Sequence, residues 1–181
     1  MSIILNREKQ FIIFGIILIV LFLAGCLRGT SNNDENTNYQ ESFEFQELNG
    51  KIRNTSEFHG KILLIDFFGV RCTHCQYQML VLNDIYEEYK ENNFEIISID
   101  VWMEQETPAL IEQFIQEYKQ EMDLDLDWIF GYDDAKGTLL NEYANSGVPT
   151  LLILDKNGNV YYQNAGYTEY SYLAEKIDEL L

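Results

Sequence analysis

The sequence predicts an α/β fold, a central mixed β-sheet with helices on both faces, preceded by an N-terminal β-hairpin. Three observations carry this. Two continuous apolar runs, 62–68 (ILLIDFF) and 94–101 (FEIISIDV), lack two-residue alternation and read as strands covered on both faces. The first is followed by apolar residues at helical spacing and the second by a Thr-Pro helix start. Asn-Gly pairs at 49–50 and 157–158 mark tight turns between extended segments. Strands alternating with helices, closed by a hairpin and a last helix, form a layered sheet. The right-handed crossover rule makes the strands at 62–68 and 94–101 parallel, so their C-terminal ends share one edge.

The chain divides at its N-terminal end. Residues 1–25 carry Arg7 and Lys9, then a thirteen-residue apolar run from Phe11 to Leu23, then Ala24-Gly25. Such a run spans about 20 Å as a helix, short of the roughly 30 Å hydrocarbon core, which suits a secretory leader better than a permanent span. Leu23-Ala24-Gly25-Cys26 resembles a lipobox, the signal of prokaryotic lipoproteins. That resemblance implies a signal peptide over 1–25 and a lipid on Cys26, with an uncleaved anchor and a chance cysteine as the other readings. Residues 26–42 are then the lipidated cysteine and a polar linker, too poor in apolar side chains to order itself. The folded domain is expected over 43–181. Of three cysteines, one becomes an anchor and two a pair.

Within the domain, Phe43 and Phe45 alternate ahead of the turn at Asn49-Gly50. After the strand at 62–68, Leu80, Leu82, Ile85, Tyr86 and Tyr89 predict a helix over about 72–90. Thr107-Pro108 supplies a cap and a first-turn proline for a helix continuing to about Met122. Residues 128–130 are a short strand candidate, 135–143 a helix and 151–154 a strand. Asn157-Gly158 turns the chain into a strand at 160–163, and Thr168 is expected to cap a last helix running to Leu181.

Composition excludes some classes of function. Net charge is −18, with no Lys/Arg cluster longer than a pair, which argues against nucleic acid, where cations must neutralise phosphates. The same charge opposes flat adsorption to anionic lipid. It keeps a tethered domain soluble, or offers a basic partner an acidic docking face.

Chemistry concentrates at Cys72-Thr73-His74-Cys75, where a buried strand gives way to a helix. Three residues apart at a helix start, the two sulfurs can pair. Cys72 faces unpaired N–H groups and the positive end of the helix dipole, which favour the reactive thiolate. The spacing therefore suggests an exposed nucleophile, Cys72, and a more buried resolving thiol, Cys75. A structural disulfide and a zinc half-site are the competing readings, although only His59 and His74 exist to complete a metal site. No resident metal or cofactor is expected.

With IDFFGVRCTHC at 65–75 and GVPT at 147–150, the segment 43–181 resembles the thioredoxin superfamily, and within it the tethered TlpA-like (ResA-like) disulfide reductases. The resemblance implies a thioredoxin-like fold with Cys72 and Cys75 as the catalytic pair. It also implies that Pro149 is cis and packs against that pair, leaving the backbone of Val148 to receive an extended substrate; a trans proline opening a strand is the alternative. Asp66, six residues before Cys72, matches the buried acid of thioredoxins. It becomes a proton acceptor for Cys75 if buried, and a plain surface residue if its position is exposed. Two departures bear on redox direction. Arg71 stands where a tryptophan is usual, and His74 sits where strongly oxidising DsbA-type motifs carry histidine; either cation would favour the thiolate, whereas a solvated His74 would do little. Gln78 occupies a position that is commonly glutamate in the TlpA-like branch and has no proton to give. Trp102 and Met103 read as partner contacts or as packing.

The function implied is an extracytoplasmic thiol–disulfide oxidoreductase, lipid-anchored at the outer face of the cytoplasmic membrane. It would act on the disulfides or thiols of protein substrates, be recharged by a membrane thiol carrier, and serve cytochrome c maturation. A DsbA-like dithiol oxidase and a copper-binding chaperone of the same fold are the alternatives.

Overall fold

The computed structural model describes residues 42–181. The signal peptide, Cys26 and the linker expected over 26–42 lie outside the described residues, apart from Ser42. In chain order the elements are β1 (Glu44–Glu47), β2 (Ile52–Asn54), a 3₁₀ turn (Thr55–Phe58), β3 (Ile62–Phe68), α1 (Thr73–Tyr89), β4 (Phe94–Asp100) and α2 (Pro108–Met122), followed by β5 (Ile129–Tyr132), α3 (Thr138–Tyr143), β6 (Thr150–Leu154), β7 (Val160–Ala165) and α4 (Tyr170–Asp178). Among the described residues no helix is long and apolar enough to cross a membrane.

Seven strands form one mixed sheet in the order β2-β1-β5-β4-β3-β6-β7. β3 pairs in parallel with β4, and β4 with β5. β1 runs antiparallel to both β2 and β5, and β6 antiparallel to both β3 and β7. β3 is central and every one of its seven residues is buried, as its unbroken apolar run requires.

Side-chain alternation along β3 divides the core in two. Ile62, Leu64 and Phe68 join Cys75, Met79, Leu82 and Ile85 of α1, Ile111 of α2, and Leu173 and Ile177 of α4. Leu63, Ile65 and Phe67 join Phe43, Phe45, Phe58 and Leu139 on the opposite face. Each fully buried Leu, Ile or Phe contributes about 1.5–3 kcal/mol relative to exposure. Asp66 has the parity of Ile62, Leu64 and Phe68, so its carboxyl faces the layer that holds α1 and Cys75.

Several expected boundaries shift, each for a local reason. The last helix is not capped by Thr168: its N–H donates to Gln78 Oε1 at 2.7 Å and its hydroxyl accepts from Asn164, so Glu169 takes the cap position without a side-chain hydrogen bond. That helix ends at Asp178, short of Leu181. The helix expected over 135–143 begins only at Thr138, because the Asp133 and Asp134 carboxylates gather the N–H groups of Lys136, Thr138, Leu139 and Leu140 into a turn. β5 is displaced by one residue, to Ile129–Tyr132. Thr107 does cap α2, through Leu110 N–H, with Pro108 in the first turn.

Candidate active site

The site forms where β3 ends and α1 begins. Cys72 is the N-cap of α1; its Sγ accepts the N–H of Cys75 at 3.1 Å, a bond that brings the two sulfurs together. Cys72 and Cys75 are disulfide-bonded, with Cα atoms 5.2 Å apart. Cys72 retains 8% exposure and Cys75 none. The pair is therefore ordered in the expected sense, but Cys72 is barely rather than openly exposed. Thr73, His74 and Arg71 around it are exposed. What Arg71 gives the site structurally is its backbone N–H, which Glu106 accepts.

A second chain segment closes over the pair. The Val148–Pro149 peptide bond is cis, and Pro149 is buried. The Val148 carbonyl oxygen lies 3.6 Å from Cys72 Sγ. Gly147, at φ +119°, occupies backbone space that residues with a Cβ rarely adopt, and it lets the chain turn into this loop. The loop is held by Thr150 Oγ1 donating to the Gly147 carbonyl at 2.7 Å and by Gly166 N–H donating to the Pro149 carbonyl at 2.7 Å.

Asp66 is fully buried, which removes the surface reading of this residue. Its Oδ2 accepts the Ser98 hydroxyl at 3.0 Å, and Ser98 in turn accepts the Trp128 indole N–H at 3.0 Å. Oδ1 has no hydrogen-bond partner. Burial pushes the Asp66 carboxyl up to about 7, against a weaker opposing pull from Ser98. The acid thus changes charge near neutral pH on the α1 side of the sheet. Gln78 is also buried, with its amide locked onto the Thr168 backbone through both its oxygen and its nitrogen.

The loop between β3 and α1 is pinned from several directions. Gln76 Nε2 donates to the Val70 carbonyl at 2.9 Å, and Tyr118 O–H of α2 donates to the Gln76 carbonyl at 2.6 Å. Glu106, only 2% exposed, accepts the N–H groups of Val70 at 2.8 Å and Arg71 at 3.1 Å. Asp100, fully buried at the end of β4, accepts Trp102 N–H at 2.8 Å. Sequence reading missed Glu106, whose loop position carries no signal. It also passed over Asp100, although an acid ending a buried apolar strand is the same clue that marked Asp66.

Trp102 is partly buried and packs into both core clusters, as does Met103 into one, so the packing reading holds for both. A Cβ placed on Gly69 would lie 2.6 Å from Trp102 Cδ2 and nearer still to Cε3. Gly69→Ala is accordingly expected to destabilise the domain by about 1–3 kcal/mol, the usual cost of overpacking. Urea denaturation measures this, and unchanged stability would mean that the indole is not held against the loop.

A shallow apolar depression lies beside the pair, lined by His74, Tyr77, Leu80, Val81 and Tyr167. A separate cavity of about 300 Å³ lies between β1 and α3.

The chain matches the family model described as "Thioredoxin-like" over residues 60–160. Among curated proteins it is 27% identical over 139 residues to the thiol-disulfide oxidoreductase ResA of Bacillus thuringiensis subsp. konkukian, covering 77% of this chain and 75% of that protein. It is 26% identical over 165 residues to ResA of Oceanobacillus iheyensis, covering 86% and 81% respectively. Among solved structures, the thioredoxin domain of a thiol-disulfide oxidoreductase from Bacteroides vulgatus superposes with a TM-score of 0.63 at 19% identity, over 76% of this chain and 94% of that one. At that identity the structural likeness speaks for the fold alone.

Proposed function

Because the chain belongs to the thioredoxin-like family, we propose that it is a thiol–disulfide oxidoreductase that reduces disulfides in protein substrates through Cys72 and Cys75. The observation that carries this is the paired cysteines at the start of α1, one marginally exposed and one sealed, beneath the Val148 carbonyl.

The geometry supports a two-step exchange. The Cys72 thiolate attacks one sulfur of a substrate disulfide; the Cys72–substrate bond forms, the substrate S–S bond breaks, and the first substrate thiolate leaves. Cys75 then gives its proton to Asp66, attacks Cys72 Sγ and expels the second substrate thiolate. Two electrons pass from the dithiol to the substrate, and the Cys72–Cys75 disulfide remains. Asp66 must be ionised to take the proton, a condition half met near pH 7. Val148 offers its backbone to a substrate strand laid across the pair. Arg71 and His74, exposed to screening solvent, shift the potential little, which favours the reducing direction over the dithiol-oxidase one.

Placement outside the cytoplasmic membrane through a lipid on Cys26, recharging by a membrane thiol carrier and service to cytochrome c maturation complete the reading. They rest on the sequence at 1–26 and on the kinship with ResA proteins. The test is insulin reduction with dithiothreitol as donor. Catalysis by the wild-type chain well above the uncatalysed rate is expected; a rate equal to the blank, with Cys72 open to alkylation after reduction, would overturn it.

A further inference from the structure

Asp100 and Glu106 are two buried carboxyl groups outside the exchange steps above, and they touch the loop that presents Cys72. Both Glu106 oxygens accept backbone N–H groups, from Val70 and Arg71, the bonding pattern of an ionised carboxylate. Asp100 Oδ1 accepts from Trp102, whereas Asp100 Oδ2 is buried and makes no hydrogen bond, although the Val70 N–H that Glu106 accepts also acts on this carboxyl. An orphaned buried oxygen is costly unless it carries a proton that another group accepts, and Glu106 is the acidic group beside it. Two carboxyls in contact cannot both ionise cheaply in such a place.

We propose that Asp100 and Glu106 hold one proton between them, as an O–H on Asp100 Oδ2 with the charge on Glu106, and that the pair positions the Cys72 loop and restrains the acidity of the Cys72 thiol. This deepens the reading given above and rests on Cys72 being the nucleophile. The positive end of α1 favours the thiolate. Glu106 sets a negative charge on the two peptide N–H groups directly before Cys72 and opposes that preference. A less stabilised thiolate means a more reducing couple.

Burial and the neighbouring Glu106 both push the Asp100 carboxyl up, to about 8. Of the other ionisable groups on the elements packed around the pair, Asp66 on the neighbouring strand β3 is buried and bonded only by Ser98, whereas the rest have their own partners or face solvent. The Asp133 carboxylate after β5 receives the N–H groups of Asp134, Leu139 and Leu140. Arg71 on the loop, His74 at the start of α1 and Glu104 on the 101–106 segment are exposed.

The experiment uses the full reduced chain and follows iodoacetamide alkylation of Cys72 by peptide mass from pH 5 to 10. Wild type is expected to show the Cys72 inflection and a second one near pH 8 as Asp100 gives up its proton. Asp100→Asn keeps the Glu106 charge, so it should lose the second inflection and leave the first in place. Asp100→Asn with Glu106→Gln removes the charge and should lower the Cys72 inflection by about one unit, a roughly tenfold faster alkylation below it. A double-variant profile superimposable on wild type, with the fold intact, would overturn the proposal. Should the double variant fail to fold, infrared spectroscopy at pH 6 decides: Asp100→Asn must lose one buried carboxylic-acid band, and an unchanged spectrum refutes the shared proton. Neither readout requires turnover, so a wild-type chain unable to reduce insulin would remove the reductase reading without deciding this one.

Discussion

Cys72→Ser is expected to abolish insulin reduction, whereas Cys75→Ala is expected to trap the enzyme on its substrate. The two outcomes differ because the sulfurs are not equivalent. Cys72 caps α1 and keeps 8% exposure, while Cys75 is sealed inside the core cluster beside Met79 and Leu82. Only Cys72 has both a path to a partner and the helix-terminal field that favours a thiolate. A serine there offers a hydroxyl that cannot exchange with a disulfide, so activity falls to the blank. With Cys75 replaced, the first step proceeds and the second has no nucleophile, so a Cys72–substrate mixed disulfide accumulates. Non-reducing electrophoresis and mass spectrometry read both. A Cys72→Ser chain that retains activity, or adducts forming through Cys75 instead, would reverse the assigned roles.

Asp66→Asn is expected to stabilise the domain at pH 8 while slowing turnover. The sign follows from the direction of the shift. Burial raises the Asp66 carboxyl from 3.8 to about 7, so between those values the unfolded chain has lost the proton that the folded chain keeps. Stability associated with this group is full below about pH 4, declines as pH rises through the interval, and is lost above about 7. About three units correspond to a penalty of the order of 4 kcal/mol at pH 8, as an upper bound. Asparagine removes it, so chemical denaturation should show a gain of a few kcal/mol at pH 8 that vanishes near pH 4. Losing the proton acceptor should slow mixed-disulfide release by about 10²-fold, the low end for general-base catalysis. A variant no more stable than wild type at pH 8 would place Asp66 in contact with water.

The layered α/β arrangement was legible because β3 and β4 are unbroken apolar runs and α1 and α2 carry helical spacing and, in α2, a cap. The cysteine pair, the buried acid six residues before it and the residues of the proline loop were all readable from spacing and resemblance. Less legible was anything decided by tertiary competition. Thr168 has the chemistry of a cap, but Gln78, ninety residues away in sequence, claims its N–H. The start of α3 depends on Asp133 and Asp134 gathering N–H groups into a turn. Glu106 contacts Val70 and Arg71 across a separation of some thirty-five residues, and no local pattern announces such a bond. Asp100 was visible as an acid in an apolar strand, but its partner was not.

Redox titration of the Cys72–Cys75 couple against glutathione and dithiothreitol buffers tests the central claim most directly. A reversible two-electron transition of the folded chain is predicted, with a midpoint nearer the thioredoxin value of about −270 mV than the DsbA value of about −120 mV. A pair that excess dithiothreitol cannot open without unfolding the domain would contradict redox function altogether, and a midpoint at the DsbA end would contradict the reducing direction.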